Sequence, residues 1–317
     1  MKSDWTIERY QAADAAEWDG FVDSSRNATF LFRRGYMDYH ADRFEDCSWI
    51  VRKRGRIVAL LPANLTSDGV LHSHQGLTYG GWLLPPGHVD AADLLEFFEA
   101  AADIWRSQGI VALDYKPLPW IYSEQPSDEA EYALFMLGAS VSEVNVSEAI
   151  CHSRGMHLNQ QMRRNLAKAE KFSPDVEETD DIEAFMSMLA ECLERRHAAT
   201  PVHTAAEMRL LRDRFPDNIR FFTARPAGGA IEAGVCVFDT GRVAHAQYIA
   251  STEEGRAHNM LVPLFKALIA DIFAERTYFD FGTCNEDGGR YLNAGLLRQK
   301  FSYGATAVSY RRFHLPL

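Results

Sequence analysis

The sequence predicts a mixed α/β (α+β) protein of two lobes, with mixed, mainly antiparallel sheets flanked by helices. Its 317 residues exceed the roughly 250 to 300 that one hydrophobic core usually serves. With 47% hydrophobic and 24% charged residues, the composition is that of an ordinary globular protein. An order of β-hairpin, helix and strand occurs in each half of the chain. We therefore expect one domain at residues 1–155 and a second at residues 156–317.

In the first half, two short strands at residues 48–52 and 57–62 are predicted to flank the turn Arg54-Gly55-Arg56. Apolar spacing and Gly punctuation indicate the other elements of this half. They are helices at 18–22, 36–43 and 90–108, a Gly-rich strand and turn at 73–82, and a strand at 110–115.

The second half follows a polar bridge and shows the same order more clearly. Its central strands should form an antiparallel meander, because Gly-containing turns at 227–229 and 240–241 separate them. The predicted helices are 158–172, 181–196, 204–214 and 257–275, and the predicted strands are 219–223, 231–239, 243–250, 278–282 and 305–313.

Charge and composition narrow the class of protein. The formal net charge of -11 repels polyanions on average, so nucleic-acid binding would need a local basic patch. Residues 1–10 carry no apolar run behind a basic start, and no apolar stretch approaches roughly 18 residues, which predicts a cytoplasmic protein without membrane insertion. The five scattered cysteines and the absence of a His-x-x-x-His spacing predict reduced thiols and no metal site.

Three segments carry a resemblance to a known family. They are Trp18-Asp19-Gly20-Phe21-Val22, the basic segment Met162 to Lys171, and Tyr278-Phe279-Asp280-Phe281-Gly282 followed by Gln299-Lys300-Phe301-Ser302-Tyr303-Gly304. On these residues the chain resembles the FemAB-like branch of the GNAT superfamily of N-acetyltransferases, which contains peptidoglycan-bridge aminoacyl ligases and N-acyltransferases. The resemblance implies tandem GNAT-like lobes, with the first lobe structural and acceptor-binding and the second catalytic.

The resemblance also implies a donor site at residues 252–258. Enzymes of this superfamily hold the pyrophosphate of acyl-CoA on a Gln/Arg-x-x-Gly-x-Gly/Ala turn at a helix start. Gly255 and Ala257 fit that turn, whereas Thr252 replaces the Gln or Arg. Glu253 and Glu254 stand where a phosphate should approach, and Arg256 and His258 compensate for them in part. We expect acetyl-CoA or another acyl-CoA as donor, with an ordinary helix N-terminus as the alternative reading.

Five residues near the end of the chain are candidates for catalysis. Lys300 stands where the family motif has a basic residue, and it could stabilise an oxyanion or bind a phosphate. The alternative is a surface lysine that pairs with Glu286 or Asp287. Asp280 or Glu286 could accept a proton from the attacking ammonium, and Tyr291 or Tyr303 could return one to the leaving group. A buried structural hydrogen bond is an equally good reading of Asp280.

Further residues are candidates for substrate binding. His245 lies on the strand predicted at 243–250, next to the bulge typical of this GNAT strand, although a strand histidine is more often satisfied in the core. Gln75, Thr78 and Tyr79 could line an acceptor groove, or could serve turn formation alone. Arg196 could bind a phosphate or carboxylate, or could cap a helix C-terminus.

These features predict an N-acyltransferase that moves an acyl group to a small-molecule amine. The resemblance alone indicates an amino sugar, a cell-envelope precursor or an amino-acid-like metabolite as acceptor. Two alternatives stay open: an aminoacyl-tRNA-dependent transferase of Fem type, and a noncatalytic GNAT-like protein that binds a ligand. The basic helix with Arg163, Arg164, Lys168 and Lys171 would be the anchor for a polyanion, or simply a solvated face. The sequence does not specify an oligomeric state.

Overall fold

The chain divides into two compact units. A computed structural model describes residues 5–197 and 199–317, and the side chains of residues 196 and 197 lie outside the description. Unit 1 consists of the described residues up to Asn145 together with Asp287–Arg290 and Ser309–Leu317. Unit 2 consists of Val146–Glu286 and Tyr291–Val308.

Sixteen strands are found in the described residues. In chain order they are β1 (Trp5–Arg9), β2 (Glu45–Asp46), β3 (Trp49–Lys53), β4 (Arg56–Leu61), β5 (Asn64–Leu65), β6 (Val70–His72), β7 (Ala112–Tyr115), β8 (Ser140–Cys151), β9 (Asp175–Glu178), β10 (Ile219–Arg225), β11 (Ala233–Asp239), β12 (Val243–Ser251), β13 (Tyr278–Thr283), β14 (Asn285–Glu286), β15 (Tyr291–Leu292) and β16 (Thr306–Pro316).

Ten α-helices accompany the strands in the same described residues. They are α1 (Ala15–Ser24), α2 (Arg34–Met37), α3 (Ala91–Ser107), α4 (Glu129–Met136), α5 (Gln160–Ala169), α6 (Ile182–His197), α7 (Ala205–Arg214), α8 (Glu253–His258), α9 (Leu261–Ala267) and α10 (Ala294–Phe301). Short 3-10 turns lie at Ala12–Asp14, Phe30–Phe32, Asp38–His40, Trp120–Tyr122, His152–Arg154 and Glu170–Phe172, and a π-helical turn at Leu268–Ile272 follows α9.

Unit 1 contains two groups of strands and one long helix. Strands β1, β3 and β4 form an antiparallel sheet, and β2, β5, β6, β7 and the end of β16 follow one another in a second group. The two-residue turn between β3 and β4 has positive φ at Arg54 and Gly55, as a tight hairpin requires. Helix α3 begins at the cap Asp90, whose carboxylate accepts hydrogen bonds from the amides of Ala92 and Asp93. Its apolar face packs into the core of unit 1 with Trp49, Trp82 and Trp105 among the buried side chains.

Unit 2 is built on one sheet with the strand order β8, β13, β12, β11, β10, β9. Strands β12 and β13 run parallel, and the other neighbouring strands of this order run antiparallel. One face of the sheet packs on α5 and α9 through a core that includes Phe265, Phe279 and Phe281. The meander and the parallel strand that follows it confirm the element order expected from the sequence.

Three sequence predictions about elements are wrong. The helix expected at 257–275 is interrupted, because Asn259 adopts a left-handed conformation between α8 and α9. The polar bridge before the second half is the twelve-residue strand β8. The segment 73–82 is largely irregular, since the chain turns back so closely that a Cβ on Gly80 would lie 1.6 Å from the Ser73 carbonyl oxygen.

Strands β1 and β9 and helix α4 were not expected from the sequence. All three elements are short, with five, four and eight residues, so each gives only a weak local signal. Across the described residues, no helix combines the length and the apolar character that a membrane span requires.

Candidate acyl-transfer site

The parallel strands β12 and β13 separate part-way along their length. Their ladder consists of three pairs, Val243 with Tyr278, Ala244 with Phe279, and His245 with Asp280. Beyond the third pair the described residues of the two strands form no further pairs, although β12 continues to Ser251 and β13 to Thr283. The separation leaves backbone groups on both inner edges outside the ladder, which is the geometry that an extended ligand can use.

Each of these strands carries a bulge just beyond the last shared pair. In β12, Ala246 pairs with Val237 and Tyr248 with Cys236, so Gln247 is an extra residue. In β13, Asp280 pairs with Ala149 and Thr283 with Ser147, so Phe281 and Gly282 lie opposite one residue of β8. Bulges bend strands and increase their twist, and they account for the divergence of the two strands. The bulge expected beside His245 is thereby confirmed.

Asp280 and His245 form a hydrogen-bonded pair at the point of divergence. Asp280 is fully buried, and its Oδ1 accepts hydrogen bonds from the Ser147 hydroxyl and from the Gly282 amide, the latter at 2.9 Å. Its Oδ2 lies 3.2 Å from His245 Nδ1. Because a carboxylate accepts this bond, the proton is assigned to Nδ1 and the lone pair to Nε2. These contacts agree with the reading of Asp280 as a buried structural hydrogen bond, and its predicted part as proton acceptor stays a prediction.

Lys300 is buried at the bulge of β13. Its ammonium group donates to the carbonyl oxygens of Gly282 and Thr283 at 2.7 and 2.9 Å. Burial lowers the pKa of Lys300, because the charged form loses its hydration. The alternative reading as a surface lysine is wrong, since 4% of the residue is exposed. Its predicted part in catalysis stays a prediction.

Glu148 is a buried carboxyl group next to this cluster that the sequence reasoning missed. It lies on β8, opposite the bulge of β13, and 3% of the residue is exposed. No hydrogen bond to its carboxylate is found among the described residues, and Oε2 is buried. Burial raises the pKa of Glu148, with Asp280 acting in the same direction and Lys300 against it. The signal that could have revealed it is the acid itself, which stands between the apolar residues Val146 and Ile150. The segment that contains it was interpreted as a polar bridge.

Comparison with known proteins identifies the segment that carries this site. Residues 157–291 match the family model of the acetyltransferase (GNAT) domain. This segment is a GNAT domain. The match to this domain is evidence for a transferase activity of the general N-acyltransferase kind. No curated protein matches the sequence.

Solved structures agree with the GNAT domain and extend the likeness to the whole chain. FemX has a TM-score of 0.70 at 12% identity, over 98% of this chain and 97% of that chain. A tandem GNAT protein from the clavulanic acid biosynthesis pathway has a TM-score of 0.56 at 14% identity, over 98% of both chains. The C-terminal domain of a putative lysylphosphatidylglycerol synthetase from Agrobacterium fabrum has a TM-score of 0.60 at 10% identity, over 96% and 92%. The tandem GNAT-like fold expected from the sequence is confirmed, and FemX is among the structures that share it.

The predicted donor turn of the GNAT domain begins α8 and is held by internal bonds. Thr252 caps the helix, because its hydroxyl accepts a hydrogen bond from the Gly255 amide at 3.0 Å. A Cβ on Gly255 would lie 2.1 Å from the carbonyl oxygen of Glu232, so this glycine allows the helix to approach the start of β11. Ala257 is exposed. The glycine requirement therefore has a packing cause, and a donor-binding role for this turn stays a prediction.

The two basic residues of the turn also have partners within the GNAT domain. Arg256 donates to the carbonyl oxygen of Ser251 at 2.7 Å. His258 Nδ1 lies 2.9 Å from Glu232 Oε2, and its ring lies against Phe172. Both side chains would have to exchange these bonds for contacts with a phosphate.

Glu286 and Tyr291 lie on a small hairpin rather than in the buried cluster. They are partners in the antiparallel pairing of β14 and β15. Glu286 is exposed and accepts a hydrogen bond from Asn293 at 3.0 Å, and 57% of Tyr291 is exposed. None of the described contacts joins either side chain to Asp280 or Lys300. A catalytic role for these two residues would need substrate to reach the hairpin.

Three of the remaining candidates for substrate binding belong to unit 1. Gln75 and Thr78 are exposed in unit 1, and the Gln75 side chain accepts a hydrogen bond from Asn64 at 2.9 Å. Tyr79 is buried in unit 1 and its hydroxyl donates to Thr29, so its side chain packs in the core. The side chain of Arg196 lies outside the described residues. In the described part of the chain, no group of three or more His, Cys, Asp or Glu side chains is placed to hold a metal ion.

Proposed function

We propose that the chain transfers an acyl group from acyl-CoA to the amine of a small molecule, at the place where β12 and β13 diverge. The observation that carries this proposal is the Asp280–His245 pair, which presents an oriented imidazole at the last shared pair of the two strands. A general base at that position stands next to the opening in which an extended donor would lie. The expected acceptors remain an amino sugar, a cell-envelope precursor or an amino-acid-like metabolite, and the expected compartment remains the cytoplasm.

In the proposed reaction, His245 Nε2 accepts the proton that the acceptor nitrogen loses, and Asp280 stabilises the imidazolium that forms. The nitrogen forms a bond to the thioester carbon, and the resulting oxyanion is stabilised by backbone amides that the bulge at Gln247 removes from the regular ladder. The carbon–sulfur bond then breaks with its electron pair going to sulfur. The proton held by His245 passes to the thiolate or to solvent.

Charge at the start of α8 favours a second candidate donor. Glu253 and Glu254 are exposed at the helix N-terminus, where they would repel the pyrophosphate of CoA. Arg163, Arg164 and Lys168 are exposed on α5, and within the described residues none of the three forms an ion pair. These observations support aminoacyl-tRNA as the alternative donor, with the same amine attack on an activated carbonyl.

The test is a thiol-release assay with acetyl-CoA and longer acyl-CoAs against a panel of primary amines. We expect turnover by the wild-type protein, a loss of roughly 10²-fold or more in His245→Ala, and no loss in the control His88→Ala, which changes an exposed histidine of unit 1. Absence of both turnover and calorimetric binding with every acyl-CoA would reject the acyl-CoA proposal. Transfer from charged tRNA would then be measured with the same variants, and absence of that transfer would favour a noncatalytic protein.

A further inference from the structure

Glu148 is a buried acid without a partner of its own. It lies on β8 within unit 2, its exposed fraction is 3%, and no hydrogen bond reaches its carboxylate from the described residues. A buried charged or polar group left without a partner costs free energy, so its presence calls for a compensating role such as catalysis or the binding of an ion. We propose that Glu148 binds an ammonium group of a substrate.

The nearby cation does not satisfy this carboxylate. Lys300 is close enough to oppose the rise in the pKa of Glu148. Whether it also satisfies the carboxylate depends on where its three hydrogen-bond donors are directed. Two of those of Lys300 are directed at the carbonyl oxygens of Gly282 and Thr283, and among the described residues no hydrogen bond or ion pair joins its ammonium group to Glu148. The lysine therefore stabilises the bulge of β13, and the carboxylate beside it is left for a cation from outside the chain.

The position of Glu148 connects it with the proposed reaction. Its sequence neighbours Ser147 and Ala149 lie beside Asp280, so strand alternation directs Glu148 to the other face of the sheet, and an ammonium held there lies across β8 from the Asp280–His245 pair. The charge of Asp280 nevertheless acts on the Glu148 carboxyl group, whose pKa it raises. The site takes a primary ammonium, because a compact cation with three donors can meet a carboxylate in limited space.

This inference rests on the proposed function for the identity of the substrate, and two sources of the ammonium fit the chemistry. One is the acceptor amine in its protonated form. The other is the α-ammonium of an aminoacyl donor. Because Glu148 holds its proton more tightly than an ordinary glutamate, binding of a cation should release a proton from the carboxyl group.

The experiment compares wild type with Glu148→Gln, which removes the charge at nearly constant volume. Glu148→Asp keeps the charge on a shorter side chain, and Glu191→Gln is a matched control on an exposed face of α6. In the donor arm, calorimetry measures binding of S-glycyl-pantetheine and S-acetyl-pantetheine, which differ by one ammonium group. In the acceptor arm, it measures ethylammonium against ethanol. Buffers of different ionisation enthalpy report proton release.

We expect Glu148→Gln to lose at least tenfold in affinity for the ammonium ligand of one arm, to abolish its proton release, and to leave the neutral ligand unchanged. Glu148→Asp should lose less, and Glu191→Gln nothing. Equal affinities of wild type and Glu148→Gln for both ammonium ligands, in a variant with native circular dichroism, would overturn the inference. Since these arms need no acyl transfer, a wild-type protein that binds ammonium through Glu148 but neither binds nor turns over any acyl-CoA would reject the proposed function and retain the site.

Discussion

Asp280 and His245 are joined both by backbone register and by side chains. They form the last pair of the parallel β12–β13 ladder, and Asp280 Oδ2 lies 3.2 Å from His245 Nδ1. The register brings the carboxylate and the imidazole to the same face of the sheet, and the Ser147 hydroxyl and the Gly282 amide fix the carboxylate from the other side. The orientation of His245 is thus determined by three neighbouring strands.

Replacing Asp280 should therefore impair acyl transfer through His245. In Asp280→Asn the amide group can donate to Nδ1, which moves the imidazole proton to Nε2 and removes the base. We expect kcat/KM to fall about 10²-fold or more, to a level similar to that of His245→Ala. Measured in a double-mutant cycle, the two losses should not add, because they remove the same function. Additive losses would show that the two residues act separately.

Removing the ammonium of Lys300 should destabilise unit 2. Lys300→Met leaves the carbonyl oxygens of Gly282 and Thr283 without their donor, and we expect the free energy of unfolding to fall by about 2 to 4 kcal/mol. Urea unfolding followed by circular dichroism measures this change. Arg298→Met, at an exposed position of the same helix, should stay within about 0.5 kcal/mol of wild type. A fully stable Lys300→Met that lacks turnover would instead assign the lysine to the reaction.

The stability of the protein should depend on pH through Glu148. Burial raises the pKa of this carboxyl group above its ordinary 4.5, so the folded state binds the proton more tightly than the unfolded state. The contribution of Glu148 to stability is therefore complete below pH 4.5 and is lost as the pH rises through the raised value. Glu148→Gln does not titrate, and its melting temperature relative to wild type should rise from acidic to neutral pH. A constant difference across that range would contradict the assignment.

A side chain at position 255 should destabilise the start of α8. The Cβ of Gly255→Ala would lie 2.1 Å from the carbonyl oxygen of Glu232, so the helix or β11 must move, at a cost of about 1 to 3 kcal/mol. Gly20→Ala is the matched control, because that glycine lies within α1 with nothing within 4 Å of its Cβ position. The control should be as stable as wild type or up to about 1 kcal/mol more stable. Thermal unfolding of both variants decides the point, and equal stability would contradict the close approach.

Local sequence signals predicted the parts of the fold that local interactions determine. Helix α3 has a strong cap at Asp90 and a regular apolar face, and the turn at Arg54 and Gly55 has the chemistry of a tight hairpin. The strand β13 was recognisable from its alternating apolar residues around Asp280. The family resemblance added the tandem fold, which local patterns alone do not specify.

The parts that were missed depend on partners distant in sequence. Strand β8 has a polar, largely exposed first half, so its composition resembles a linker until its pairing with β13 is known. Glu148 could not be recognised as part of the site for the same reason. Lys300 was predicted to face substrate, whereas its contacts with Gly282 and Thr283 arise from a bulge that no local pattern marks.

Because the end of β16 belongs to unit 1, the folding of unit 1 depends on the order in which the chain is synthesised. From Ser309 onward this strand belongs to unit 1, where Phe313 pairs with Tyr115 and Leu315 with Leu113. A ribosome must therefore translate the whole of unit 2 before the partner of β7 emerges. Unit 1 should finish folding last although it is made first, and a chain ending at residue 308 should accept a synthetic peptide of residues 309–317 as its missing strand.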